Sequence, residues 1–513
     1  MAKLSYNYSG EWEDVCQVLR HFSTDTVLKR ISAEAIALQN DSNKTGSSVA
    51  RWVEYDRFNT STRAFEKKES ALTVWGLIDL AYYAIVASND YRGERTISDE
   101  EFYLLFDSVE GMKQKNEAGF LNTVASGSKE IIMYLCGFAG EQYKAQEQHK
   151  IYGNVGRELY ILFESSKRLD TPTVDVSAIV QEETGVTWEK VLCSLLLGWA
   201  CSGLDCRITE APFSSADQNL LSREEYLKVI SKYSISYDTL RKSALKRQAL
   251  YTRPYIITQK NETLGIIPYL NHCLYEHAIL WIVRDHFKKL DDQGFTSYFG
   301  KCFEKYFEEL LNCYLKKDEF EKLPETKIKR ADWRLSIDGY GFLIEQKSSL
   351  VRLRAKQQAP SLSDIEDYAK NTLIKAIRQL DNTEKDLASG RFIKIILLYE
   401  DYLIPELLDQ AFSMKECDVK SDDHYWLVTI EEMEILLGLC AKDRATFNSV
   451  IEEKSRRESS HSNEGRSLLQ IMREFDVVNN DFLRREGIAH YSDLAKGQLV
   501  ELLQQPSKSE ETQ

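Results

Sequence analysis

The stretch of this chain that most constrains its fold is ADWRLSIDGYGFLIEQKS, at residues 331–348. Asp338-Gly339 stands between two runs of alternating residues, and Asp-Gly is a strong hairpin signal because both central positions of a type I′ turn need a positive φ. With these two residues as the loop, Trp333 faces Ile344 and Asp332 faces Glu345. Side chains alternate between the faces of a strand. One face is therefore predicted to be buried, with the residues Trp333, Leu335, Ile337, Tyr340, Phe342 and Ile344.

The other face of this hairpin carries Asp332, Arg334, Glu345 and Lys347, and Leu343 is its only large apolar residue. Directly opposed residues have Cβ atoms about 5 Å apart, and like charges at such positions destabilise a sheet. Two opposed carboxylates are therefore costly unless a cation lies between them. The other interpretation is an ordinary solvated edge, on which Lys347 forms a surface ion pair worth less than about 1 kcal/mol.

The size and charge of the chain exclude some classes of protein. Its 513 residues leave room for two or three domains. A formal charge of −14 and a pI near 5.3 argue against a protein that coats nucleic acid over its whole surface. Any nucleic-acid site must therefore be local.

Cysteine usage and hydropathy predict where the protein works. Ten cysteines without paired CxxC spacing, in a chain this large, are typical of reduced thiols in a cytoplasmic protein. Residues 1–10 lack the apolar core of a signal peptide. The most apolar windows, residues 72–88 and 191–204, are too short or too polar to span a bilayer, so we predict buried helices there and no membrane contact.

Residues 1–235 show mostly helical spacing, and we expect a large, mainly α-helical N-terminal region. Residues 236–292 form a basic connector, with a short hairpin at 253–267 and a helix at 269–290. The connector begins with five basic residues and no acidic one between 241 and 253. Either they contact a nucleic-acid backbone or they form the solvated face of a helix.

Residues 293–450 have the pattern of an α/β domain. An amphipathic helix at 299–314 carries Glu304, and the hairpin follows it. A helix ends near residue 388, and strands at 391–400 and 425–430 and a helix at 431–439 complete the order. Residues 451–513 are predicted to hold a linker at 453–465, which has no apolar residue, then a helical segment and a disordered tail.

An ordered set of residues in this domain resembles the PD-(D/E)XK nuclease superfamily. The set comprises Gly300-x-x-Phe303-Glu304 on a helix, a strand opening at Asp332, a strand ending in Glu345-Gln346-Lys347, and Gln379 on a helix before an apolar strand. The match covers about residues 295–405, and Ala331 stands where this superfamily often has proline. The resemblance implies an α/β restriction endonuclease-like core with the order helix, β-hairpin, helix, strand.

The resemblance also implies roles for individual residues. Asp332 and Glu345 bind Mg²⁺ or Mn²⁺, with the carbonyl of Gln346 as a further ligand. Lys347 orients and helps to deprotonate the attacking water, Glu304 binds the ion through water or holds a second one, and Gln379 borders the site. Hard cations prefer such oxygen ligands and keep several waters, and they polarise phosphoryl oxygens and acidify water.

A basic rim is predicted around this site. Between residues 325 and 356, eight basic residues face four acidic ones, a local balance of +4 in a chain of −14. We expect this rim to bind a nucleic-acid backbone. Its predicted substrate contacts are Lys329, Arg330, Arg334, Arg352 and Arg354.

These features together predict a cytoplasmic, Mg²⁺-dependent nuclease that hydrolyses DNA, as an endonuclease rather than an exonuclease. RNA stays open as a substrate. Large helical regions fused to such cores are common in phage-defence effectors, so by architecture alone we expect a defence role, with a homo-oligomer or a partner protein such as an ATPase. The alternative is a non-catalytic nucleic-acid-binding or scaffold subunit of a defence complex that retains a nuclease-like fold.

Overall fold

The fold is seen in a computed structural model. It describes residues 11–45, 50–59, 61–90, 95–123, 151–170, 174–210, 221–290, 292–350, 366–387, 390–400, 407–459, 465–477 and 479–486. The strands are β1 (Ala50–Asn59), β2 (Ala64–Thr73), β3 (Ser234–Ser236), β4 (Tyr255–Ile257), β5 (Thr263–Gly265), β6 (Phe320–Lys322), β7 (Trp333–Ile337), β8 (Tyr340–Lys347), β9 (Ile393–Leu398) and β10 (Tyr425–Thr429).

Helices precede, separate and follow several of these strands in the described residues. Before β6 they are α1 (Trp12–Leu19), α2 (Thr24–Thr45), α3 (Val74–Ala87), α4 (Asp99–Thr123), α5 (Ile151–Leu159), α6 (Val176–Thr184), α7 (Trp188–Ser202), α8 (Arg223–Lys232), α9 (Tyr237–Lys242), α10 (Ala249–Thr252), α11 (Pro268–Leu290) and α12 (Asp292–Tyr314). After β8 they are α13 (Lys375–Leu387), α14 (Leu407–Ser413), α15 (Ile430–Lys442), α16 (Arg444–Ser459), α17 (Leu468–Glu474) and α18 (Asp481–Glu486).

The N-terminal region is largely helical, as predicted, and the apolar windows at 72–88 and 191–204 match α3 and α7. The expectation of helices missed one element, the β1–β2 hairpin, whose two ten-residue strands pair antiparallel from Ala50↔Thr73 to Asn59↔Ala64. Its inner face packs on α4, where Tyr55 and Ser70 donate hydrogen bonds to Asp107 at 3.0 and 2.6 Å. The apolar residues of β1, at positions 50, 52, 53, 55 and 58, follow neither a strict strand period nor a strict helical one.

The basic connector contains the predicted short hairpin, with β4 and β5 antiparallel and β3 added parallel to β4. Two of its five basic residues are engaged inside the protein. Arg241 donates to Asp90 at 2.8 Å and to the carbonyl of Ile85 at 2.7 Å, and Arg247 pairs with the buried Asp79. These two arginines do not belong to a solvated helix face, because their charges hold the connector against α3 and the segment after it.

A five-stranded mixed sheet, in the order β10-β9-β8-β7-β6, organises the predicted nuclease-like domain. Strands β6, β7 and β8 are antiparallel, while β9 and β10 continue parallel to β8. One face packs on α12 and α15 through a large hydrophobic cluster, and the other packs on α13 and α14 through a second cluster. The element order helix, hairpin, helix, strand is therefore present, and β8 lies in the middle of a sheet that is covered on both faces.

The C-terminal end differs in one respect from its prediction. Helix α16 continues to Ser459, into the stretch predicted as a linker, because Arg456 and Arg457 form ion pairs with Glu453 one turn earlier. The predicted tail at 505–513 lies outside the described residues. In the part of the chain that the structure describes, no helix combines the length and the apolarity needed to cross a membrane.

Candidate functional site

The turn of the β7–β8 hairpin has the predicted backbone geometry. Asp338 and Gly339 have φ angles of 48° and 86°, and the register runs from Ile337↔Tyr340 to Trp333↔Ile344. Beyond this pair the Asp332 N–H also donates to the Ile344 carbonyl, at 3.0 Å, so Asp332 and Trp333 both lie opposite Ile344, as in a β-bulge. The register counted from the sequence is confirmed from Ile337↔Tyr340 to Trp333↔Ile344, whereas the predicted step that sets Asp332 directly opposite Glu345 is replaced by this bulge.

The charged face of this hairpin is not a solvated edge. Leu343 and Glu345 are 0% and 2% exposed. Helix α13 and the π-helical segment Ala369–Ile374 that precedes it cover this face. Leu343 packs there with Leu373 and Ile377. The carboxylate of Glu345 is therefore held in a protein interior, where an unpaired charge is costly.

Asp332 is fixed from both sides. Its Oδ2 accepts a hydrogen bond from the Gln346 N–H at 2.7 Å, and the N–H of the preceding Ala331 donates to Thr383 Oγ1 at 2.7 Å. Burial raises the pKa of Asp332 to about 6, the nearby charge of Glu304 acts in the same direction, and Gln346 N–H and Lys347 oppose it. This aspartate thus sits where its charge needs positive partners.

Glu345 is the most deeply buried carboxylate of the site. Its Oε1 accepts a hydrogen bond from Lys347 Nζ at 2.5 Å, and its Oε2 is buried without a hydrogen-bond partner among the described residues. Burial raises the pKa of Glu345 to about 8, although Lys347 opposes this shift. One oxygen of this carboxylate is therefore available to a further donor or a cation.

Lys347 is held by Gln379 as well as by Glu345. The Lys347 ammonium donates to Gln379 Oε1 at 3.0 Å, and Gln379 Nε2 donates to the carbonyl of Arg330 at 3.1 Å. Gln379 thus ties α13 both to β8 and to the segment that leads into β7. Its place at the border of the site agrees with the sequence expectation.

Gln346 links the site to α12. Its side chain accepts from Trp333 Nε1 at 2.7 Å and donates to the carbonyl of Phe303 at 3.3 Å. The N–H and C=O groups of a strand residue point to the same edge, so the Gln346 carbonyl faces the edge where its N–H meets Asp332. This carbonyl is placed where a metal ligand is expected.

Glu304 reaches the site from α12, on the other side of Asp332. It forms an ion pair with Lys322 at the end of β6, and Lys322 also lies 6.0 Å from the centre of the Trp333 ring. Sequence reasoning missed Lys322, since the three residues of β6 are too few to show a period. Helix α12 comes close to the end of β8 here. A Cβ atom added to Gly300 would lie only 3.3 Å from Oγ of Ser348, the residue after β8.

The carboxylates of Glu304, Asp332 and Glu345 do not form one compact cluster. Within the described ranges, ligand atoms of three acidic, histidine or cysteine residues lie within 4.8 Å of one another only at Asp422, Asp423 and His424. Those three are engaged elsewhere, since Asp422 binds Lys394 at 3.1 Å and Asp423 binds Arg391 at 2.7 Å and His424 at 2.6 Å.

The predicted basic rim is only partly free to bind a substrate. Arg330 pairs with Asp386 at 2.7 Å, and Arg334 pairs with Glu321 at 3.2 Å and stacks on Phe392. Lys329 is exposed. Arg352 and Arg354 lie outside the described residues.

Comparison with protein-family models, with curated proteins and with solved structures finds no match to this chain. The chemistry of the site therefore follows from the residues that it contains. Two carboxylates and a carbonyl are the ligands that Mg²⁺ prefers, and the unpartnered Glu345 Oε2 fits such an ion. The residues present thus fit a divalent cation with oxygen ligands.

Proposed function

We propose that this chain is a Mg²⁺-dependent nuclease that hydrolyses phosphodiester bonds of DNA. The observation that carries the proposal is the buried Glu345 carboxylate, near enough to the half-buried Asp332 for their charges to interact, with the Lys347 ammonium 2.5 Å from Glu345. A protein interior holds such a pair at a large electrostatic cost unless a cation shares it. Costly, perturbed carboxylates of this kind mark functional sites.

Asp332, Glu345 and the Gln346 carbonyl would hold the ion, with Glu304 binding through water. When bound, a divalent ion polarises a phosphoryl oxygen and acidifies water. Lys347, which contacts Glu345 and Gln379, would bind the attacking water and stabilise the negative charge that develops during hydrolysis. Lys322 supplies a second positive charge on the α12 side of the site for the phosphate backbone.

The element order also supports this proposal. Helix α12, the β7–β8 hairpin, helix α13 and the parallel strand β9 follow one another in the order on which the resemblance to PD-(D/E)XK nucleases rests. We accordingly propose a restriction endonuclease-like core for residues 293–450. A role in phage defence, and a partner such as an ATPase, rest on architecture alone.

A cytoplasmic location is part of the same proposal. The nine cysteines that the structure describes are free thiols, and most of them are buried. Reduced cysteines in a chain of this size are typical of cytoplasmic proteins. A protein that cleaves DNA must be in the same compartment as that DNA.

The alternative function is a non-catalytic DNA-binding or scaffold subunit. The close pairing of Lys347 with Glu345 favours it, because a lysine can neutralise a buried carboxylate without any metal. Binding of divalent cations separates the two functions. The scaffold binds none at this site, and its properties do not change when Glu345 is replaced.

Cleavage assays test the proposed function. Purified protein is incubated with plasmid DNA, linear duplex DNA, single-stranded DNA and RNA, each with Mg²⁺ and with a chelator instead. We expect Mg²⁺-dependent cleavage of DNA that Glu345→Gln abolishes. Persistence of every substrate under all conditions would contradict the proposal, and cleavage of RNA alone would correct its substrate.

A further inference from the structure

The outward face of the β1–β2 hairpin carries two large exposed aromatic side chains. Trp52 is 75% exposed and Phe65 is 62% exposed, and the Phe65 ring contacts Phe58 in an edge-on arrangement with 5.3 Å between centroids. We call this surface the outer hairpin face, and its charged and aromatic residues are Trp52, Glu54, Asp56, Phe58, Phe65, Lys67 and Glu69. Exposed aromatics on a regular element are typical of protein–protein contact sites.

The charges on the outer hairpin face are predominantly negative. Glu54 and Glu69 are directly opposed across the two strands. Asp56 is opposed to Lys67 and forms an ion pair with it at 3.0 Å. Since opposed like charges destabilise a sheet, the Glu54–Glu69 pair costs stability in the isolated protein and favours a positive group between the two side chains.

This charge pattern discriminates among occupants. A nucleic-acid backbone is repelled by three carboxylates and one ammonium. A second copy of the chain would bring the same acidic face. A positively charged segment of another protein matches the surface in charge.

The geometry further favours arginine over lysine as the central contact. Trp52 and Glu54 are two residues apart on one strand, so their side chains lie on the same face. A guanidinium group binds carboxylates in a planar, bidentate manner and stacks on aromatic rings, whereas an ammonium is a compact and strongly hydrated charge. Trp52 therefore offers a ring beside the carboxylates that an arginine would bind.

We propose that the outer hairpin face docks an arginine-bearing segment of a partner protein, with a guanidinium between Glu54 and Glu69 and against Trp52. The proposal does not rest on the nuclease function. It assigns to the N-terminal region a binding role for a cationic polypeptide.

Binding of defined peptides tests the proposal. Fluorescently labelled peptides with alternating arginine and serine, and matched peptides with lysine or citrulline in place of arginine, are titrated against the full chain at low salt by fluorescence anisotropy. We expect the arginine peptide to bind most tightly and the citrulline peptide not to bind up to about 1 mM. Affinity is expected to fall as salt is added, because the contact is electrostatic and exposed.

Variants locate the bound peptide. We expect Trp52→Ala, and the double variant Glu54→Gln with Glu69→Gln, each to weaken binding of the arginine peptide by about tenfold or more. The matched control replaces two exposed helical glutamates, Glu182→Gln with Glu224→Gln, and it removes the same net charge with no effect on affinity. Circular dichroism verifies that each variant is folded.

Three results would overturn the proposal. The arginine peptide does not bind, or it binds the hairpin variants as tightly as the unmodified chain. A duplex oligonucleotide binds and Trp52→Ala abolishes that binding, which would assign the face to nucleic acid. Sedimentation shows an oligomer that Trp52→Ala dissociates, which would assign it to a second copy of the chain.

Discussion

Two hairpins in this protein share one local pattern and differ in their surroundings. In β1–β2, Glu54 is opposed to Glu69, and at the open end of β7–β8, Asp332 lies near enough to Glu345 for their charges to interact. The first hairpin is an isolated two-stranded sheet with an exposed outer face, whereas the second lies inside a five-stranded sheet covered on both faces. The difference is one of solvent access, because Glu54 and Glu69 are exposed to water whereas the fold removes water from Glu345.

Electrostatics explain why it matters whether the rest of the protein covers the carboxylates. Between exposed charges, water and salt screen the repulsion, and its cost is a few tenths of a kcal/mol. Around Asp332 and Glu345, burial raises the pKa of the two carboxyl groups to about 6 and about 8. A cation of matching chemistry gains much more from joining the buried pair than from joining the exposed one.

The most direct test of the difference between the two hairpins is to make the same substitution in both. Glu345→Gln removes one buried metal ligand, and we expect DNA cleavage to fall by at least about 10³-fold. Glu69→Gln removes the same charge from the exposed pair, and cleavage should be unchanged. Initial rates of plasmid nicking at saturating Mg²⁺ measure both. Equal activity of the two variants would contradict the assignment of the site.

The lysines of the two hairpins provide the second contrast. Lys347→Ala removes the ammonium that contacts Glu345 and Gln379, and we expect cleavage to fall by about 10²-fold, as for other groups that assist proton transfer. Lys67→Ala breaks an exposed ion pair with Asp56 and should leave the cleavage rate unchanged. Single-turnover cleavage rates compare the two. If Lys347→Ala cleaves normally, the water-orienting group lies elsewhere.

The pH dependence of stability provides the third contrast. The folded state keeps a proton on Glu345 up to about pH 8, whereas the unfolded chain releases it near its ordinary pKa of 4.5. The folded state therefore binds more protons in this window, and without divalent cations the free energy of unfolding should fall as the pH rises from about 4.5 to about 8. Glu345→Gln should flatten this fall, and Glu54→Gln should not.

Added Mg²⁺ reverses this trend. An ion that binds the folded state stabilises it, and it competes with the proton for Glu345. We therefore expect Mg²⁺ to raise the melting temperature more at pH 8 than at pH 5. A shift independent of pH, or one retained in Glu345→Gln, would assign the bound ion to other groups.

The smallest expected effect concerns the exposed hairpin. Glu54→Gln relieves the repulsion with Glu69 and should stabilise β1–β2 by a few tenths of a kcal/mol. Amide hydrogen exchange in the middle of β1 should then slow by about twofold, because local opening becomes less favourable. Faster exchange would indicate that the glutamates are held together by an interaction other than the one described.

The part of the site that lies close together in the sequence was predictable. The Asp-Gly turn fixes the register of β7–β8, which was counted correctly up to Trp333↔Ile344 and brings Asp332 to the end of the hairpin near Glu345. Leu343, the single large apolar residue on the charged face, was the signal that this face is covered. The sequence pattern therefore indicated that this face is buried, although its charged residues alone suggested a solvated face.

Contacts between distant segments were not predictable. The pairing of Arg330 with Asp386, of Lys322 with Glu304 and of Ala331 with Thr383 depends on how helices dock on the sheet. The β1–β2 hairpin was missed because the apolar residues of β1 show no regular strand period and the neighbouring segments have helical spacing. Local periods predict elements, and tertiary packing decides which charges meet.

Divalent-cation binding tests the central claim most directly. Isothermal titration calorimetry with Mn²⁺ at pH 8 compares the unmodified chain with Glu345→Gln and with Glu69→Gln. We predict that the unmodified chain and Glu69→Gln bind Mn²⁺ equally and that Glu345→Gln loses this binding. Absence of Mn²⁺ binding to the unmodified chain, or equal binding by Glu345→Gln, would contradict the claim that the buried carboxylate pair is a metal site.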